Sequence, residues 1–297
     1  MSEALRRMAP ETLDHIFPGS WINANFDVWI GAAEDNQAWS QLLRARETYD
    51  ETTNVTEERR ALAFEELLIA EGSDWCWWYG PEHHSDNREE FDQLYRSHLA
   101  NVYRFLNLVP PEELSRPILA GKTPSVTIQP SGAIKPTIDG EVTSYFEWLG
   151  AGIYRVDDRS GSMHGQKFLV KEVQYGTEGT NLYLRVDFHP ESEPELPSME
   201  LRFSAQGLDG SGPGALTISF AGGAHIADAR FAAPSAATAE CAFTHVLEVA
   251  IPLDGLGVTH GAGVRFLFSL WHGGLPMEAV PQQGWLEMST TNPAEMG

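Results

Sequence analysis

From residue 34 to residue 108, apolar side chains recur at intervals of three and four, the period of a helix that buries one face. The stretch 34–49, EDNQAWSQLLRARETY, sets Trp39, Leu42, Leu43 and Arg46 at that spacing, with Asp35 or Asn36 as N-cap. A second helix is expected over 54–70. There Asn54 and Glu57 resemble a capping pair, Ala61, Phe64 and Leu68 make an apolar face, and Gly72 closes the helix. The strongest pattern covers 87–108, through Phe91, Leu94, Tyr95, His98, Leu99, Val102, Phe105 and Leu106. Asp86 and Glu89 supply its cap, and Pro110 with Pro111 stops it.

Beyond RPILAGKTPSVTIQPSGAIKPTIDG the period falls to two and Gly, Thr and Pro become frequent. Eight segments read as strands, among them NLYLRVDF, SMELRFSAQ and VRFLFSLWHGG, and GTEGTN at 176–181 reads as a hairpin loop. With no helical insert, such a series predicts an antiparallel β-sandwich. The expected organisation is multidomain, α plus β: a helical, bundle-like domain over 1–118, a linker over 119–134 and the sandwich over 135–297.

Composition narrows the partners. The 297 residues carry 42 acidic against 20 basic side chains, a formal net charge of −22, which repels phosphate backbones and anionic membrane surfaces. No nucleic acid and no membrane are expected as partners, because no run reaches the roughly 18 apolar residues that a spanning helix needs. The two cysteines, Cys76 and Cys241, make no disulfide framework. The opening MSEALRRMAPETLDHIFPG has no apolar signal-type stretch and reads as the tail of a helix, which suggests a piece of something larger; the expected setting is cytoplasmic.

The chemistry concentrates in EGSDWCWWYGPEHHSDN, residues 71–87, where three tryptophans, a tyrosine and two histidines follow the second helix. Trp75, Trp77, Trp78 and Tyr79 cannot all face one side. Flat rings beside hydrogen-bonding groups suit sugars, which present C–H faces ringed by hydroxyls. The alternative is that these rings staple helices together, with Trp78 and Tyr79 as the core members. Asp74, His83 and His84 add polar reach; adjacent histidines point two ways, so no metal is expected and no cofactor is called for. A second cluster, FPGSWINANFDVWIG, holds Ser20, Trp21, Asn23, Asn25, Asp27 and Trp29, side chains able to read hydroxyls or to bond their own backbone. Cys76 reads as a packed side chain, since no base is spaced to activate it. In the β half, Trp148, Trp271, His272 and Trp285 are either strand core or a sugar platform.

FPGSWINANFDVWIG, AEGSDWCWWYG with HHSDN, and EFDQLYRSHLANVYRFL resemble, in order and spacing, the region after the catalytic barrel in glycoside hydrolase family 57. That family holds α-glucan-active amylases, amylopullulanases, glucanotransferases and branching enzymes. The likeness covers about residues 8–118. It implies a helical region that leans on a barrel and walls its cleft, with Asp74 and Trp75 of the SDW motif, Trp77, Trp21 and His83 or His84 contacting an α-glucan or malto-oligosaccharide. The family's Glu nucleophile and Asp acid/base belong to the barrel, so by this resemblance no catalytic residue lies in this chain and an upstream barrel is its partner. The second half is similar to β-sandwiches of the DOMON-like and family 9-like carbohydrate-binding type. On this reading Trp75 is a partly exposed platform with Asp74 hydrogen-bonding beside it. A free-standing glucan-binding module, or a purely structural tail, are the alternatives.

Overall fold

A computed structural model of the chain describes residues 15–83, 87–119, 125–144, 146–156, 168–192, 194–221, 225–261 and 263–288. Among them are three α-helices and two antiparallel sheets, a mixed α+β architecture. The helices are α1 (Ala33–Glu51), α2 (Glu57–Ala70) and α3 (Arg88–Phe105).

The helix positions agree with the periodicity, but their ends are made by other residues. Helix α1 is capped by the backbone at Ala32, and Asp35, expected as a cap, is buried in the first turn. Thr56, not Asn54, caps α2, its hydroxyl accepting from the Arg59 N–H. The buried stripe of α2 is Ala63, Leu67 and Ala70, while Phe64 and Leu68 of the expected face lie exposed. Asn87 stands at the N-cap of α3 but its side chain does not cap the helix, and Asp86 lies outside the described residues. The end of α3 does not wait for the prolines. Asn107 turns left-handed at φ 59°, its N–H reaches the Arg104 carbonyl, and the Leu108 N–H reaches that of Tyr103 at 2.8 Å.

One buried ion pair ties α3 to its surroundings. Asp92 accepts from Arg96 Nε at 2.9 Å, from the Tyr79 hydroxyl at 3.1 Å and from the Ile118 N–H at 2.9 Å. Arg96 also donates to the Leu114 carbonyl, and the Tyr95 hydroxyl donates to Ala38 in α1. Each charge is therefore hydrogen-bonded as well as paired, the condition under which burial is tolerated.

The first sheet runs β1 (Ser125–Ile128), β2 (Gly152–Val156), β3 (Val170–Glu178), β4 (Asn181–Phe188), β9 (Leu247–Pro252), β8 (Glu240–Phe243). The second runs β11 (Leu275–Val280), β10 (Val264–His272), β5 (Met199–Gly207), β6 (Gly214–Ala221), β7 (His225–Phe231), with β12 (Leu286–Met288) also on β10. Strand β1 falls inside the 119–134 stretch expected as a linker, so that stretch contributes to the sheet. The 176–181 hairpin is present but tighter, with Glu178 paired to Asn181 across Gly179 and Thr180. Strands β1, β7 and β11 are short or weakly alternating, and a period of two does not single them out.

Both sheets contribute to one apolar core, seen where Tyr175 meets Phe266 edge-on at 5.2 Å and Phe220 meets Phe243 at 5.6 Å. Strand β5 alternates buried and half-buried residues, as a strand with one covered face should. Strand β10 is buried on both faces. Its Phe266, Phe268 and Leu270 enter the shared core, while Trp271 enters the helical core with Leu67, Leu99 and Leu114. The Trp271 Nε1–H donates to Ser269 Oγ at 2.7 Å, and Ser269 donates to the Glu112 carboxylate, which also accepts from Ser115. The outer face of the first sheet is closed differently, by Ile134, Trp148 and Ala151 against Tyr183 and Ala250. Glu248 anchors this segment, accepting from Trp148 Nε1 and from the Asp139 and Gly140 N–H groups.

Because the helices and β10 share a core, cleavage in 119–134 should leave the two pieces associated on a sizing column. Separation into two independently stable fragments would refute the shared core. A second expectation concerns Glu278 on β11, which is buried with one oxygen accepting from the Leu169 and Val170 N–H groups. Burial outweighs those bonds and raises its pKa from the ordinary 4.5 to about 7. The native state thus holds a proton that the unfolded chain releases, and stability declines as pH rises from about 4.5 to about 7. Glu278→Gln should melt higher than the parent at pH 8 and nearly level with it at pH 4.5. An unchanged pH dependence of the melting temperature in the variant would exclude this origin.

Candidate functional site

The aromatic segment leaves α2 by turning back on its end. Trp75 Nε1–H donates to the Ile69 carbonyl at 2.8 Å, the same carbonyl that receives the Gly72 N–H. An indole therefore completes the helix terminus that a left-handed glycine was expected to close. The Trp75 ring then lies against Tyr95 (5.6 Å), His98 (5.9 Å) and Phe91 (6.1 Å), all on α3. Trp75 is a half-buried junction residue between α2 and α3, so the ring expected as a partly exposed platform also packs on α3. Asp74 beside it is exposed.

The rings sort by position. Trp78 stacks on Phe91 at 5.3 Å, and Tyr79 is buried with its hydroxyl on Asp92, so these two pack inward as expected. Cys76 is buried as well, and burial pushes its thiol up to about 11, which keeps it protonated and inert. Trp77 turns the other way. It stacks on His83 with centroids 3.9 Å apart and planes 22° apart, and Trp29 stands 6.5 Å from it. His84 lies outside the described residues.

Two charged residues hold this arrangement. Glu34 in the first turn of α1 accepts from the Gly80 N–H at 2.8 Å and from Arg88 Nη2 at 3.1 Å. Arg88 also donates to the carbonyls of Trp78 and Gly80. Gly80 adopts φ 76°, and a Cβ there would lie 2.7 Å from Glu82 and 3.5 Å from Asp35, so the turn requires glycine. Asp35 is fully buried beneath it. Burial pushes its carboxyl up to about 6; the backbone at Ala32 pulls the other way, and Glu82 and Glu34 add to the rise. Nothing in the sequence distinguished Asp35 from an ordinary cap. Its burial comes from the loop folding over the start of α1.

The second expected cluster is built on its own backbone. Ser20 N–H donates to Asn25, the Ile22 N–H to Ser20 Oγ at 3.0 Å, and Asn25 Nδ2 to Asp27 at 2.6 Å. Asn23 and Ala24 are left-handed. Trp21 projects from this turn with 85% of its surface exposed, while the Trp29 carbonyl accepts from Trp39 Nε1 at 2.7 Å. The structure thus joins Trp29, Trp77 and His83, leaves Trp21 extended on the turn before them, and packs the half-buried Trp75 on α3.

The four β-half aromatics form no common platform. Trp271 and Trp148 are buried, His272 is exposed, and only Trp285 is half-buried, with Arg116 and Arg265 guanidiniums 5.2 and 5.3 Å from its ring. Among the described residues no group of three or more His, Cys, Asp or Glu is placed to hold a metal ion, and no helix is long and apolar enough to cross a membrane. No family model matches the chain, and no curated protein matches it.

The two kinds of tryptophan should respond differently to truncation. Trp75→Ala removes a helix terminus bond and three ring neighbours, and is expected to lower stability by about 3 kcal/mol. Trp77→Ala leaves the helix termini intact and is expected to cost less than about 1 kcal/mol, in the range of aromatic-pair contributions. Chemical denaturation of both variants measures the difference; equal losses would show that Trp77 too is structural.

Proposed function

We propose that this chain is the cleft-lining, C-terminal portion of an α-glucan-active glycoside hydrolase of the family 57 type, acting beside a catalytic barrel that lies outside these 297 residues. The observation that carries the reading is the half-buried Trp77–His83 stack with Trp29 beside it. An indole with an imidazole stacked on one face offers a glucose unit an aromatic surface next to a hydrogen-bonding group. Ile16, Phe17, Trp21, Phe26 and Ile30 lie exposed on the segment around Trp29. So much apolar surface on one segment is what a face made to meet another body looks like.

In this reading Trp77 stacks on the sugar, His83 and Asp74 meet its hydroxyls, and Trp21 extends the aromatic wall. Catalysis proceeds with retention through a glycosyl intermediate on barrel carboxylates, and these residues orient the chain being cut. The two sheets with their shared core act as a β-sandwich of carbohydrate-binding-module type that steadies the helical wall. The setting is cytoplasmic, where the free thiols of Cys76 and Cys241 remain reduced.

The chain alone should bind maltoheptaose with quenching of tryptophan fluorescence. Trp77→Ala should weaken that binding about tenfold, or about 1.4 kcal/mol, without altering the melting temperature. Cellohexaose serves as the linkage control. No response to maltoheptaose, or an equal response in the variant, would remove the basis of the proposal. A free-standing glucan-binding module makes the same binding prediction, and addition of a family 57 barrel separates the two: only a cleft wall raises the barrel's turnover.

A further inference from the structure

Away from the aromatic loop, a cleft of about 750 Å³ opens where the end of α3 meets the second sheet. Its walls carry Arg59, Arg104 and Arg202 and a single carboxylate, Glu200. In a chain with 42 acidic and 20 basic residues this is a local reversal of charge. A cleft with low-dielectric walls focuses such a field on whatever enters it.

The three arginines are half-buried and held in place. Arg59 donates through Nε to the Phe105 carbonyl at 2.9 Å and through Nη2 to that of Arg104 at 2.6 Å, which offsets the negative end of α3. Arg202 lies over the Trp271 ring at 3.9 Å, pairs with Glu200 at 2.6 Å and reaches the Pro110 carbonyl. These bonds account for their presence as structural residues, and they also fix two guanidiniums at the cleft wall. Arg104 is different. Its Nη1 bonds Asn101 in the preceding turn, and its Nε and Nη2 have no hydrogen-bond partner among the described residues; neither has Arg59 Nη1. Gly274, at φ 79°, leaves the room that Arg104 occupies, since a Cβ there would come within 3.1 Å of its Cδ and Nε.

We propose that this cleft binds a small anionic ligand, its phosphate or carboxylate group held by Arg104 and Arg59 and its body resting on the lip formed by Leu108 and Val109. The planar guanidinium fork matches both oxyanions, and half-buried cations lose less on binding than solvated lysines do. Leu108 and Val109 are both exposed and supply an apolar surface beside the charges. The site is separate from the Trp77–His83 face, so it does not rest on the α-glucan reading.

The test uses the full chain at constant ionic strength, with glucose 1-phosphate, glucuronate and glucose titrated by calorimetry. At least one charged sugar should bind about tenfold or more tightly than glucose. Whichever does so identifies the oxyanion as phosphate or carboxylate. Arg104→Gln should remove that preference. Val109→Asp, at an exposed position that places a negative charge on the lip, should do the same without disturbing an internal contact. Equal affinity for all three sugars would overturn the proposal, as would a preference that survives in both variants. Maltoheptaose binding at Trp77 should be unchanged in either variant, so failure of one site remains distinguishable from failure of the other.

Discussion

The burial of Trp271 is the constraint on which the rest of the structure depends. Its indole leaves a strand of the second sheet and enters the helical core, which obliges β10 to be covered on both faces. A buried indole N–H without an acceptor would be costly, and the cost is met by Ser269 and, through it, by Glu112 on the turn that follows α3. Arg202 then seals the ring from the open side. The same few side chains thus seat α3 on the sheet, close its connection, and shape the arginine-lined cleft at its end.

Seating α3 determines what the aromatic loop can do. Phe91, Tyr95 and His98 present a row on α3 that receives Trp75 and Trp78, and Asp92 on the same helix takes the Tyr79 hydroxyl. Trp77 takes no place in that row and packs instead on His83 and Trp29. Glu34 and Arg88 hold the turn closed, and the space beneath it contains a carboxyl, Asp35, that burial keeps protonated into mildly acidic conditions.

The buried acids give the molecule a common leaning. Asp35, Glu112, Glu248 and Glu278 are all pushed up by burial, most of them against hydrogen bonds that pull down. Each holds its proton more tightly in the native state than in the unfolded chain, so in this group burial dominates over the donors supplied.

Local pattern by itself determined the three helices, most strands and the change of period between the halves, because a helix or strand with one covered face must repeat its apolar residues at the period of its backbone. It also read Cys76 as a packed side chain, since no base is spaced to activate it, and left Tyr79 open between a core and a ligand-facing role. It did not locate helix ends, because Thr56, Asn107 and the Trp75 indole compete with equally plausible neighbours, and the winner depends on what lies across the junction. It gave no role to Arg59 or Arg104 and took 119–134 for a connection. Only the tertiary structure decided that Trp75 packs on α3 while Trp77 packs on His83 and Trp29, that Asp35 is buried, and that three arginines share a cleft. Periodicity records which residues are buried, whereas these outcomes depend on which elements bury them, and that partnership is written in contacts far apart along the chain.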